Sequence, residues 1–295
     1  MRRPFPHLLV LVAFAGLLCN PATTFAAGSG PSLGLAAHFA ALAGGPAAGA
    51  VTCTGSAVFG DVGVVFPGTF VSTNCTLLGT VNEDATAAYA DFLAAYNALQ
   101  DNTPCDQTLT GTLAGVTLGP GVYCFTAAAT LTGTLTLSGP ADGVWIFKIG
   151  TGGTGALTGT NFTVVMEGGA ATTACPNVYW WVAQAATLTT STFLGTILAG
   201  ADITTTGGTL TGNALAGGTG TTDAPTGAVT FTGSTIKACP AVGGNVVHVK
   251  QKCNQGVGNG PEGCDPGNSN HHNPSNDEPT GTTTPGPGKP GRKGM

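Results

Sequence analysis

Charge is what this sequence has least of. Only 8% of its residues are Asp, Glu, Lys or Arg, against about 25% in ordinary globular domains. Basic side chains are the scarcest: beyond Arg2 and Arg3 the next is Lys148, and after it Lys237. With no basic stripe there is no electrostatic footprint for nucleic-acid binding. The same shortage counts against solenoid polysaccharide lyases and hydrolases, whose sites cluster carboxylates with cations. A CxxC pair is also missing, which argues against zinc and thiol-redox chemistry. So are a Gly-rich phosphate loop before a helix and a G-x-S-x-G elbow. Beyond the N-terminus no apolar run is long enough for a transmembrane helix, so no membrane insertion is expected.

The residues that do carry chemistry are scattered. His7 lies in the N-terminal segment, His271 and His272 lie near the C-terminus, and His38 and His248 sit in no recognisable motif. Asp61, Asp142, Glu167, Asp202 and Asp223 mostly neighbour Gly, Ala or Pro, the placement of a carboxylate that bonds its own turn. Asp265, His271, His272 and Asp277 lack the spacing of a known metal loop, and a Pro/Asn-rich linker is the simpler reading. No catalytic residue, metal site or cofactor is expected.

The chain divides by composition. Residues 1–26 read as a signal peptide: Arg2 and Arg3, a short apolar run from Leu8 to Leu18, and small residues before a cleavage point near Ala26. Cys19 follows bulky Leu18, which counts against lipidation. Residues 27–240 carry the apolar pattern of the main domain, 241–264 a Cys-containing extension, and 265–295 a Gly/Pro/Asn-rich tail expected to be disordered. Of the nine cysteines, the eight beyond the signal are Cys53, Cys75, Cys105, Cys124, Cys175, Cys239, Cys253 and Cys264. An even number in an exported chain points to disulfides, with the connectivity open.

What is abundant is glycine, threonine and short apolar strands. Val144–Ile149 (VWIFKI), Phe162–Met166, Val178–Val182 and Phe193–Leu198 follow one another at 15 to 18 residues. Between them recurs a second phrase: LTGTL at 109–113 and 131–135, LTGTN at 157–161, LTTST at 188–192 and LTGNA at 210–214. A β-rich unit recurring at this period predicts an all-β solenoid with irregular corners. A β-sandwich, the rival, calls for longer strands and turns at shorter spacing. One helix stands apart over about 82–101. Tyr89, Phe92, Leu93, Tyr96 and Leu99 recur at helical spacing after a capping box at Thr80-x-x-Glu83. A single apolar stripe predicts that it lies along the β-structure.

Threonine recurs in the pattern Thr-Gly-x-Thr/Asn at Thr151–Thr154, Thr158–Asn161, Thr206–Thr209, Thr219–Thr222 and Thr232–Thr235. Stacked in register, such threonines make a flat grid whose methyls tolerate poor hydration and whose hydroxyls anchor water. Threonine is equally a good strand former that needs no ligand.

Taken in order, several stretches resemble the microbial ice-binding (antifreeze) proteins, a family built as an irregular right-handed β-helix with one long α-helix packed alongside. They are LGLAAHFAALA at 33–43, GDVGV at 60–64 with Pro67-Gly68, the helix, LGPGVY at 118–123, LTGTLTL at 131–137 and VWIFKIG at 144–150. NVYWWV at 177–182, AATL at 185–188, FLGTILA at 193–199, ITTTGGTLTGNAL at 203–215 and GAVTFTGSTI at 227–236 follow. They span nearly all of 33–237. The resemblance implies a three-faced β-helix whose coils do not stack in strict sequence order. It implies no cofactor, the ice crystal surface as partner, and a flat face that inhibits ice growth or recrystallisation; a monomer, secreted by way of residues 1–26, is expected. Some members carry Thr-Ala/Gly-x-Thr/Asn on that face. The resemblance thereby nominates Thr151, Thr154, Thr158, Asn161, Thr206, Thr209, Thr219, Thr222, Thr232 and Thr235 as ice-binding. The cysteine positions fit the same picture, with Cys53–Cys75, Cys105–Cys124, Cys175–Cys239 and Cys253–Cys264 as the candidate pairs. The competing function is a non-enzymatic cell-surface adhesion or polysaccharide-binding solenoid.

Overall fold

The computed structural model describes residues 30–45, 49–102, 104–172, 175–218 and 227–239. Residues 1–29 and 240–295 lie outside them, and with them the expected signal peptide, extension and tail and the candidate pair Cys253–Cys264.

Parallel strands stack into an irregular β-helix. One nine-stranded sheet runs, in spatial order, through Val81–Asn82, Asp61–Val64, Phe39–Ala43, Ala214–Ala216, Thr196–Ala199, Asn177–Val182, Val144–Ile149, Gly121–Phe125 and Gln107–Thr108. The other thirteen strands form a second sheet that folds round a corner and so makes two faces. The order is not that of the chain. Phe39–Ala43, near the start, lies between Asp61–Val64 and Ala214–Ala216. Val229–Thr232 and Thr235–Lys237, near the end, pair with Val51–Thr54 and Ala57–Phe59. The last coil of the domain therefore stacks directly on its first.

Inside the triangle each coil buries alternate residues. Tyr123, Phe147 and Trp180 are in register on adjacent strands and stack, with ring centroids 5.6 and 3.9 Å apart. The same file then narrows through Ile197, Ala214 and Ala41. Side-chain volume thus falls from one part of the stack to the other.

The helix α1 (Thr86–Asn102) covers the nine-stranded sheet. That sheet is buried on both sides, so Val144–Ile149 is buried throughout rather than alternately, and is apolar except at Lys148. Ala88, Phe92, Ala95, Tyr96 and Leu99 pack on Leu42, Ile146, Trp181, Leu198 and Leu215. Nine strands span about 38 Å, and 17 helical residues supply about 25 Å of that. The helix is thus the strap that carries the chain from the coil ending at Asn82 to the opposite end, where Gln107 resumes the sheet. Polar contacts fix it along its length. The Leu35 amide donates to Asp91 Oδ2 at 2.8 Å, Tyr89 Oη to the Gly217 carbonyl at 2.6 Å, and Lys148 Nζ to the Gln100 carbonyl at 3.1 Å. Lys148 is buried yet satisfies a carbonyl of the last helical turn, which otherwise lacks a partner.

The helix starts later than its sequence predicts, and the capping box does not form. Val81 and Asn82 are drawn into the sheet beside Val62 and Gly63. Thr80 turns its amide and hydroxyl to Asp61 Oδ1, at 2.7 and 2.9 Å. The Asp84 amide instead donates to Asn82 Oδ1, and Asp84 Oδ1 accepts from the Thr86 hydroxyl. Strand pairing with a preceding coil outweighs one extra helical turn.

Three disulfides brace the stack. Cys53–Cys75 joins adjacent coils, Cys105–Cys124 ties the helix exit to the sheet, and Cys175–Cys239 closes a loop of sequence separation 64. Crosslinks of this kind contribute about 2–4 kcal/mol each.

All four tyrosines of the chain, Tyr89, Tyr96, Tyr123 and Tyr179, are pushed above 10.0 by burial. Tyr123 reaches about 12, with the Asp106 carboxylate adding to the effect of burial. A phenol raised in the folded state favours folding while it stays protonated. That contribution is complete below the unfolded value and is withdrawn as pH rises towards the folded one. Alkaline titration should therefore give little phenolate absorbance just above pH 10.0. The signal should rise together with loss of the β circular dichroism. Ordinary titration of most tyrosines with the fold intact would refute their burial.

Candidate functional site

The sheet that bends has two outward faces, and the strand period sorts its threonines between them. On one face the strands are Phe70–Thr73, Val51–Thr54, Val229–Thr232, Ile203–Thr206 and Ala186–Thr189, then the first parts of Leu157–Gly168 and Ala129–Gly139. In VTCT, VTFT, ITTT, ATLT and LTGT the first and third residues face the core and the second and fourth face out.

Register turns this alternation into files. Thr52 pairs with Thr230, Thr230 with Thr204, Thr204 with Thr187, Thr187 with Thr158 and Thr158 with Thr130. Val71 ends that file beyond Thr52. Alongside it runs a second file of Thr73, Thr54, Thr232, Thr206, Thr189 and Thr160. Neighbours in a file are about 4.8 Å apart and the files about 6.6 Å. Neither file contains a charged residue. The inward threonine, Thr205, is buried and donates to Ser234 Oγ at 3.1 Å.

The files end at a corner whose residues all take positive φ: Asn74, Gly55, Gly233, Gly207, Thr190, Asn161 and Gly133. Glycine and asparagine visit this region readily. Thr190, β-branched at φ 48°, does not. Its hydroxyl donates to Asn161 Oδ1, which holds it there. Behind the corner lies an inward hydroxyl network. Ser56 Oγ accepts from the Ser234 amide at 3.0 Å, and Ser191 Oγ accepts from the Phe162 amide at 3.2 Å.

The Thr-Gly-x-Thr phrases straddle this corner. Thr158, Thr206 and Thr232 stand on the two-file face, while Thr209 and Thr235 stand on the adjoining one. Asn161 is a corner residue. Thr151 and Thr154 occupy the separate turn between Val144–Ile149 and Leu157–Gly168, where Thr151 Oγ1 donates to the Phe125 carbonyl at 3.3 Å. Thr219 and Thr222 lie outside the described residues. The structure adds Thr73 at the end of the second file, and Thr52, Thr54, Thr130, Thr160, Thr187, Thr189, Thr204 and Thr230. Their signal in the sequence is the x-Thr-x-Thr alternation immediately before each corner, a strand period rather than a turn phrase.

His38 ends the short 3-10 helix Gly34–His38, Asp61 and Glu167 lie on strands, and Asp142 and Asp202 lie between strands. Asp202 Oδ1 accepts from the Ala228 amide at 2.8 Å, a turn role. No group of three or more His, Cys, Asp or Glu able to hold a metal ion occurs among the described residues.

Known proteins share this architecture. Residues 31–237 match the family model described as Ice-binding-like. An ice-binding protein of Nostoc sp. (strain HG1) is 35% identical over 218 residues, covering 70% of this chain and 75% of that protein. The crystal structure of an ice-binding protein from an Antarctic biological consortium matches with a TM-score of 0.61 and 32% identity, over 72% of this chain and 92% of the other. That of the Antarctic ascomycete Antarctomyces psychrotrophicus gives 0.57 and 30%, over 72% and 100%. This chain belongs to the Ice-binding-like family.

Proposed function

We propose that this protein is secreted and adsorbs to ice through the two-file threonine face, slowing ice growth and recrystallisation without catalysis. The observation that carries the reading is the pair of uncharged threonine files held in strict register on adjacent strands. A charged side chain holds its own hydration shell and disrupts ordered water. A methyl does not, and a neighbouring hydroxyl anchors one water at a fixed place. Repeated on a rigid sheet, the pair presents a water lattice already partly ordered, so little entropy is lost on adsorption. Family membership supports ice as the ligand. The sequence of residues 1–26 supports export.

The test is direct. Purified protein added to polycrystalline ice in sucrose should keep the grains small on annealing, and a single crystal in its presence should grow faceted. Grains that coarsen as in buffer, on unshaped crystals, would reject ice as the ligand. Binding to glycans or cells in that case would favour the adhesion reading.

A further inference from the structure

We infer that the adsorbing surface does not stop at the corner but turns round it, taking in the first file of the adjoining face and so meeting two lattice planes of ice. The inference rests on the ice-adsorption reading above. Thr235 pairs with Thr209 and Thr209 with Thr192, then Thr192 with Thr163 and Thr163 with Thr134. Each of Thr163, Thr192, Thr209 and Thr235 lies three residues beyond a threonine of the second file, across one corner residue and its neighbour. The corner between them is bare, carrying Gly, Asn or Thr at its positive-φ positions, so no large side chain separates the two surfaces.

Rigidity is continuous across the bend. The single Ser234 hydroxyl proton is shared between the carbonyls of Gly207 and Thr232, both 3.2 Å from Oγ, and the Ser234 amide donates to Ser56 Oγ. Ser191 Oγ donates to the Thr189 carbonyl at 3.0 Å. These bonds fix the second file of one face to the first file of the next, so the three files move as one body. The limit of the surface is equally plain. The next file along the adjoining face reads Leu78, Phe59, Lys237, Thr211 and Leu194. It mixes apolar groups with a charge, and the threonine order is lost there.

The test uses the full protein carrying a fluorescent label, adsorbed to a single-crystal ice hemisphere. The wild type should light two sets of planes. Thr209→Tyr should erase one set and keep the other, and raise several-fold the concentration needed to halt recrystallisation. Thr192→Tyr, one coil away, should do the same, so misfolding of either variant leaves a second. Thr211→Tyr, one file further out, should match the wild type. Fold is checked by circular dichroism. Folded Thr209→Tyr and Thr192→Tyr proteins with wild-type plane patterns would overturn the inference. A wild type that lights no plane would bring down the ice reading itself.

Discussion

Thr204→Tyr should raise the concentration needed to inhibit ice recrystallisation by about tenfold or more, equivalent to about 1.4 kcal/mol of adsorption free energy, while the protein stays folded. Thr204 lies in the interior of the first file, in register with Thr230 on one side and Thr187 on the other. Its side chain faces out and is only partly covered, so a phenol ring has room without entering the core. Tyrosine is also a good strand former, which keeps the backbone cost small. The ring stands proud of the flanking threonines and lifts the surrounding patch away from a flat lattice. Because adsorption sums many weak contacts over one rigid plane, a central obstruction removes more than one residue's share. The check is a dilution series of the variant beside the wild type, with circular dichroism confirming the fold. Undiminished inhibition would show that this face is not the one that meets ice.

Trp180→Ala should destabilise the fold by about 3–5 kcal/mol, the largest effect we expect of any single core substitution. Trp180 is fully buried and stacks on Phe147 with centroids 3.9 Å apart and an interplanar angle of 11°. Phe193 lies 4.8 Å away, and Phe162 meets the indole edge-on at 6.4 Å. The indole Nε1 donates to the Leu194 carbonyl at 2.9 Å. Removing the ring opens a void where three coils meet and unpairs that carbonyl as well. For a domain of this size the melting temperature should fall by roughly 10 °C. A shift of only about 2 °C would mean the neighbouring rings collapse into the space, and that the aromatic column is looser than its geometry implies.

Local order was readable in the sequence wherever a single period governed it. The helical stripe of Phe92, Tyr96 and Leu99 packs on the sheet as its spacing predicts, and VWIFKI is a buried strand. The start of the helix departs from its spacing because Thr80 and Glu83 satisfy a local rule that pairing of Val81 with Val62 overrides. The threonine phrases mix two readings. Thr206 and Thr209 are close in the chain, yet Gly207 and Gly208 at φ 66° and 75° turn it between them and send the two side chains to different faces. A period-two count resets at each such corner, so the face is legible only in the four residues before it. The order of the coils has no local signal at all, because it depends on contacts such as that of Ser234 with Ser56, 178 residues apart.

The junction where the last coil stacks on the first bears on how the protein comes into being. Val51–Thr54 and Ala57–Phe59 find their inner neighbours only when Val229–Thr232 and Thr235–Lys237 exist. During synthesis the first coil waits with one edge unpaired, and a loop of nearly the whole domain must close before the stack is sealed. Such long-range pairing is intrinsically slow. A chain crossing a membrane N-terminus first would remain pliable until its last coil emerged. The same arrangement that delays folding then locks it, for neither terminal coil can fray without uncovering the edge of the other.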